Sequence, residues 1–343
     1  MERPTVIVLV PVRNESWILH RFIQCTLLWA DHIIIADQCS DDGSAEIASS
    51  YPRVTVVENP DPTFSEVKRQ KLLLQAARQI PGQRLLLALD ADEILSANVL
   101  ESSEWQKALQ VAPGTMLDFA KVNLKTPDTY FLHSAEDGKA WIPFGYMDDG
   151  AEHEGAVIHT CRIPEPPNAP RFRLNEVVLL HYNSCNVARN DSKNRWYRCF
   201  ERLTFPTKSV VQITRLYDWE ERLQPRWKIR SIKDEWVAGY REEGIDLTGF
   251  EDHPVQWWDW EILRMFKTHG TRPFRYLDIW SVDWEALRQQ GLAQGIAGLP
   301  EHEIKKSQSM SERLVRNVLY KSRRHPKRRY IEYIVKRYCP LFK

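Results

Sequence analysis

The chain has 343 residues, 43% of them hydrophobic and 27% charged, which excludes global disorder and suits one large domain with an appendage. Its 47 lysines and arginines balance 46 acids, and a net charge of +1 gives no support for nucleic-acid binding across the whole chain. Six scattered cysteines (Cys25, Cys39, Cys161, Cys185, Cys199 and Cys339) form no CxxC pair; this argues against a zinc site and for free thiols in a reducing compartment.

The opening stretch MERPTVIVLVPVRNES is not a signal peptide, because Pro11, Arg13, Asn14 and Glu15 end its apolar run and no small-residue cleavage site follows. No apolar run approaches the ~20 residues of a membrane-spanning helix, so the expected location is cytoplasmic. TVIVLVPV, rich in β-branched residues and ended by proline, predicts a strand buried on both faces. WILHRFIQCTLLWA follows with helical spacing at Ile18, Phe22, Cys25 and Trp29. HIIIAD predicts a second buried strand, DDGSAEIASSY a short helix and VTVVEN a third strand. FSEVKRQKLLLQAARQI predicts a helix stopped by Pro81-Gly82, and RLLLALDADE a fourth strand that runs directly into acids. Alternating strands and helices imply an α/β fold with a mainly parallel sheet, whose ligand crevice lies outside the carboxyl ends of the strands. Three polar clusters converge there: Pro11 to Glu15, Asp37, and Asp90 to Glu93. From Pro113 to Pro170 the pattern loosens into long loops with short strands, after which EVVLLHYN predicts a strand ending in His181. From Asp191 onward the chain reads as mostly helical and rich in tryptophan, and no internal repeat or low-complexity linker is visible.

Asp90 and Asp92, two apart at a strand end, can aim at one small region, an arrangement that suits Mg²⁺ or Mn²⁺ already holding phosphate oxygens. Asp37 closes a strand before a Ser/Asp/Gly turn and can accept a hydrogen bond from a nucleobase, although such a turn also forms without a ligand.

The order PVRNES, IIIADQCSDDGS, FSEVKRQ, LLLALDADE resembles the glycosyltransferases of family 2, which have the fold called GT-A, a Rossmann-like nucleotide-diphospho-sugar transferase fold. The resemblance covers about the first 100 residues, with Ser44 where threonine is usual and Gln70 where asparagine is common. It implies that Pro11, Arg13 and Glu15 line a nucleotide pocket, that Asp37 contacts the base, Arg69 the base or phosphate, Asp90 the ribose and Asp92 a metal ion. HYNSCNVARNDSKNRWY resembles an element of some bacterial members, which implies that His181 completes the metal site and that Lys193 and Tyr197 belong to the donor site, the basic residues there holding the diphosphate. The family's inverting displacement requires a general base for the acceptor hydroxyl. In WIPFGYMDDGAEHEGAVIHT the related enzymes often carry a His-Glu pair; His159-Thr160 is the nearest equivalent, Thr160 cannot serve, and Asp149 and Glu154 become the candidates.

These readings combine into a GT-A domain over residues 1–210 and a helical, Trp-rich region with a basic tail over 211–343. The expected activity is metal-dependent sugar transfer from a nucleotide sugar to a glycan, lipid-linked or small-molecule acceptor, as in cell-surface polysaccharide synthesis. A nucleotidyltransferase would carry a Gly-rich loop after the first strand, which PVRNES lacks, and a binding protein that kept the fold is the rival from another class. Trp257, Trp258, Trp260, Trp280 and Trp284 suit either a sugar groove or a core. The tail Lys321 to Lys343 combines Arg323, Arg324, Lys327, Arg328 and Arg329 with an aromatic and aliphatic series. It suits peripheral contact with an anionic membrane, or equally a terminal helix docked on its own domain.

Overall fold

The structure, a computed structural model, describes residues 3–132, 141–217, 228–250 and 255–305, together with Val318 and Tyr330. Of the basic tail only Tyr330 falls among them, so the membrane-contact expectation lies outside the described residues. The described chain divides into a first unit, residues 1–186 with 228–252, and a second, residues 187–227 with 253–343.

The first unit is built on β1 (Thr5–Val12), β2 (His32–Asp37), β3 (Val54–Glu58) and β4 (Arg84–Ala88), paired in parallel in the order β3-β2-β1-β4. Val6 to Val10, Ile33 to Ala36 and Leu85 to Leu89 are buried on both faces, which is why these strands read as unbroken apolar runs. α1 (Ser16–Thr26), α2 (Ser44–Ser49) and α3 (Glu66–Ala77) connect them. Trp17, Ile18, Phe22 and Cys25 of α1 are buried in the larger core, and Leu73, Leu74 and Ala77 of α3 pack with Ile7, Leu9 and Leu86 on the other face of the sheet.

RLLLALDADE is not one strand. β4 ends at Ala88, a turn carries Asp90 to Asp92, and β5 (Glu93–Leu95) leaves in another pairing. The segment expected to be loop-rich holds long strands instead: β6 (Met116–Thr126), β7 (Thr129–Leu132) and β8 (Trp141–Met147). Pro143 and Gly145 are poor strand residues and obscure β8, although the backbone pairing holds; Ala120 to Lys125 does alternate apolar and polar residues as a half-buried strand should. β8 pairs antiparallel with both β4 and β6, so β6 runs in the direction of β4. β9 (Arg171–His181) pairs parallel with β6 and antiparallel with β5, and its last residue therefore arrives at the same end of the sheet as the acidic turn. β10 (Lys228–Ser231) adds antiparallel to β7.

The second unit is helical among its described residues and includes α4 (Val187–Thr204), α5 (Val210–Leu216) and the helices Trp257–His269 and Trp284–Ala293. Trp258, Trp280 and Trp284 are buried, and the indole N–H groups of Trp280 and Trp284 donate to Phe274 O (3.1 Å) and Ile279 O (2.9 Å). These three tryptophans belong to the core, and the latter two have their polar handles satisfied. No helix among the described residues is long and apolar enough to cross a membrane.

Candidate donor site at the carboxyl ends of the parallel strands

The first two polar clusters are laced together by their own side chains. Asn14 adopts a left-handed conformation (φ 56°), which asparagine tolerates better than most residues. Its backbone N–H donates to Ser40 Oγ (2.9 Å), its side-chain amide donates to Asp41 Oδ1 (2.7 Å), and its Oδ1 accepts from Asp41 N (2.9 Å). Glu15 N donates to Ser44 Oγ and Ser16 N to Asp42 Oδ2, each at 2.9 Å. Asp42 therefore supplies from a neighbouring loop the N-terminal cap that α1 lacks locally, and its charge suits the helix dipole. The Ser/Asp-rich turn thus has a structural task in which Asp37 takes only half a share. Asp37 Oδ2 accepts from Ser40 N at 3.2 Å, while Oδ1 is buried without a hydrogen-bond partner.

The loop after β3 lies alongside. Gln38 donates to Asp61 O (2.7 Å) and Thr63 O (3.1 Å), and Arg13 donates to Pro62 O (3.3 Å). Arg69, one turn into α3, lies over the Phe64 ring at 4.8 Å. Pro11, Arg13, Glu15, Asp37 and Arg69 are all half-buried on this rim, as donor-pocket residues would have to be.

The third cluster is the acidic turn. Glu93 N donates to Asp90 O (3.0 Å) and Asp90 N to Glu93 Oε2 (2.9 Å), which closes the turn around Asp92. The Glu93 side chain is fully buried and lies 2.5 Å from Lys121 Nζ, with Arg162 Nη1 on its other oxygen. Burial pushes the Glu93 carboxyl up, but the Arg162 and Lys121 charges outweigh it and hold the carboxyl well below the ordinary range. Arg162 Nη2 also reaches Asp90 Oδ2 at 2.5 Å.

His181 is brought to this turn by pairing: Glu93 faces His181 across β5 and β9, and Tyr182 N donates to Asp92 O at 2.8 Å. Its other neighbour is Asn123, level with it on β6 and on the same face as Lys121. Asn123 Oδ1 lies 2.8 Å from His181 Nδ1 and can only accept, so Nδ1 carries the proton and Nε2 presents a lone pair. That lone pair faces Asp92 Oδ2 at 3.6 Å. Burial and the nearby Lys121 lower the His181 basicity more than Asp92 raises it, which favours the neutral imidazole. Two acceptors facing each other, with the imidazole tautomer fixed from behind, fit a divalent cation. Among the described residues no three His, Cys, Asp or Glu side chains form a metal cage.

The two sequence candidates for the proton acceptor lie in different places. Asp148 and Asp149 follow β8, and β8 runs antiparallel to β4, with Met147 level with Leu85 and Asp148 N bonded to Arg84 O. They therefore lie at the start of β4, roughly five residues or ~16 Å from the acidic turn. There Asp148 joins Arg78 (2.9 Å) and Arg84 (3.0 Å) in a buried triad. Asp149 accepts from the Tyr146 hydroxyl and from Ala151 N (2.9 Å). Asp149 is not a rim residue. Glu154 is exposed on the loop that climbs from Ala151, bonded to Arg78, to Val157, whose carbonyl accepts from Glu66 N at the rim end of α3. It lies between the two ends and is not brought beside Asp90 and Asp92.

Lys193 and Tyr197 belong to the second unit. Lys193 Nζ lies 5.9 Å from the centre of the Trp258 ring, and Tyr197 stacks on Tyr217 at 5.1 Å.

Sequence reasoning placed Glu93 in the acidic cluster without a role and missed Lys121, Asn123 and Arg162, which meet Glu93 and His181 only through long-range pairing.

The sequence profile of glycosyl transferase family 2 matches residues 7–103. Among solved structures the chain is similar to TarS of S. aureus, residues 1–349, with 13% identity over 97% of this chain and 91% of that one and a TM-score of 0.32. It is also similar to glucosyl-3-phosphoglycerate synthase of Mycobacterium tuberculosis in complex with Mn²⁺, uridine diphosphate and phosphoglyceric acid (19% identity, TM-score 0.26, 35% of this chain and 43% of that one). Mannosyl-3-phosphoglycerate synthase of Rubrobacter xylanophilus is a further likeness (21% identity, TM-score 0.26, 36% of this chain and 41% of that one). The chain thus spans less than half the length of these two synthases. Comparison with curated protein sequences gives no match. Residues 7–103 supply β2 to β5, most of β1 and the three polar clusters at their ends, and over these residues the chain matches glycosyl transferase family 2.

Proposed function

We propose that the chain transfers a sugar, with inversion, from a nucleotide-sugar donor to a hydroxyl of a glycan, lipid-linked or small-molecule acceptor, in a reaction that requires Mn²⁺ or Mg²⁺. The carrying observation is the facing pair Asp92 Oδ2 and His181 Nε2 beside Asp90, the two aspartates lying within the family-matched part of the rim. Asp92 and His181 would hold the ion, which when bound stabilises the charge that develops on the departing nucleoside diphosphate. Asp90 faces the ribose, Asp37 the nucleobase, and Pro11, Arg13, Glu15 and Arg69 enclose the nucleotide. Lys193 and Tyr197 are assigned to the donor by the sequence element alone. The wider role, cell-surface polysaccharide synthesis from the cytoplasmic side, belongs to the same proposal.

The base pocket is tested at Asp37, whose buried Oδ1 has no partner within the protein. Asp37→Ala should weaken nucleotide binding by about 1–3 kcal/mol, because a ligand donor then enters the pocket unpaired. Calorimetry with each of the common nucleoside diphosphates measures it, and unchanged affinity for the one that binds best would leave Asp37 as a turn former.

For the proton acceptor, Glu154 is the remaining candidate, since it is solvent-exposed on the loop that leads to the rim. Glu154→Gln should lower turnover by about 10²–10⁴ with nucleotide affinity retained, the usual cost of a lost general base. Asp149→Asn should leave turnover within a few-fold of the native enzyme. A Glu154→Gln protein with normal turnover moves the base off this loop.

A further inference from the structure

The acidic turn has more positive charge than its buried member needs. Glu93 is compensated by Lys121 at 2.5 Å from one side, and Arg162 approaches it from the other. Arg162 divides its fork, with Nη1 on Glu93 and Nη2 on Asp90 Oδ2 at 2.5 Å, and its guanidinium lies over the Phe144 ring at 5.2 Å. It is still 24% exposed at the rim, and Asp90 is 32% exposed. An arginine stays charged under all conditions in which a protein is folded, so this charge is a fixed property of the site.

We propose that Arg162 is the built-in counter-charge of the donor site. It holds the Asp90 carboxylate in place and sets the balance between the site's attraction for a divalent cation and its attraction for a diphosphate. The proposal rests on the reading of the rim as a donor site. Three carboxylates, Asp90, Asp92 and Glu93, are met by two permanent cations, Arg162 and Lys121. The three carboxylates and two cations therefore leave one unit of negative charge on the turn. With so little negative charge left over, the turn binds a cation weakly alone and well only with the phosphates that complete its coordination, and it repels an incoming diphosphate little. Removal of the Arg162 charge shifts both affinities, in opposite directions. Loss of a merely structural contact would weaken both.

The loop that carries Arg162 is anchored independently. Glu66 N donates to Val157 O (2.9 Å), Thr160 N donates to Glu66 Oε2 (3.1 Å), and Ile158 and Ile163 are buried. Arg162→Gln should therefore leave the loop in place.

The experiment compares the native chain, Arg162→Gln and Arg162→Lys, with Mn²⁺ alone followed by electron paramagnetic resonance and inorganic pyrophosphate alone followed by calorimetry. Arg162→Gln is expected to bind Mn²⁺ about tenfold more tightly and metal-free pyrophosphate about tenfold more weakly, the size of one nearby charge in a half-buried site. Arg162→Lys should stay close to the native chain on both. The proposal is overturned if Arg162→Gln leaves both affinities unchanged, if it weakens both together, or if Arg162→Lys behaves like Arg162→Gln. A native chain that binds neither probe would overturn the donor-site reading and the proposal with it, a result distinct from an unchanged variant of a chain that binds.

Discussion

Asp92→Ala should reduce sugar transfer by about 10²–10³ or more, the usual scale when one preorganised electrostatic partner of a developing negative charge is removed. It should also remove cation-dependent binding of the nucleoside diphosphate. The fold should survive, because the turn is closed by backbone bonds and by Glu93, and the carbonyl of residue 92 still accepts from Tyr182 N, a bond of 2.8 Å. The loss should therefore appear in turnover and in calorimetry with Mn²⁺, while the melting temperature stays close to that of the native chain. Release of nucleoside diphosphate from a panel of nucleotide sugars serves as the readout, since slow donor hydrolysis needs no acceptor. An Asp92→Ala enzyme with normal rates, or a native enzyme fully active in excess chelator, contradicts the assignment.

Glu93→Ala should fail differently, by loss of stability of about 3–5 kcal/mol in the first unit, the scale for removing one member of a buried ion pair. Its carboxylate is fully buried, and its removal leaves Lys121, Arg162 and the Asp90 N–H short of an acceptor. Glu93→Gln should lie between, because it keeps an oxygen for Asp90 N and loses the charge. Denaturant titration followed by a probe in the first unit measures both. A Glu93→Ala protein with native stability would mean that water replaces the carboxylate and that the cluster is wetter than its burial indicates.

The legible parts of the fold and the illegible parts have different physical causes. β1, β2 and β4 are buried on both faces, so composition alone marks them, and the polar residues that end them fall on one rim by the rule of parallel sheets. The rim positions of Asp37, Asp90 and Asp92 were legible in this way. The direction of β8 could not be read from its residues, and an antiparallel strand delivers the residues after it to the opposite end of the sheet; that is why Asp149, a candidate by sequence, lies away from the acidic turn. Arg162 and Lys121 lie 69 and 28 positions from the Glu93 they neutralise, and no local pattern encodes a pairing of that range. The place of His181 at a strand end was legible, but its contact with Asn123 is one that only the β6–β9 register reveals.

The segment Lys228 to Phe250 returns to the first unit after an excursion of about forty residues into the second. Arg21 on α1 donates to Asp246 O (2.6 Å) and to Gly249 O, its guanidinium rests on the Phe250 ring at 4.6 Å, and the buried Tyr240 hydroxyl donates to Leu95 O (2.9 Å). Phe250 also packs on Trp17 (5.4 Å) and Tyr182 (6.1 Å), the neighbours of Glu15–Ser16 and of His181. No single cut in the polypeptide can therefore isolate the first unit. A gene trimmed after Asn186 would encode a protein with an unsatisfied arginine inside it and a hollow where Trp236, Tyr240 and Phe250 belong. Minimisation, domain grafting and evolutionary recombination of this chain all have to carry the two pieces together.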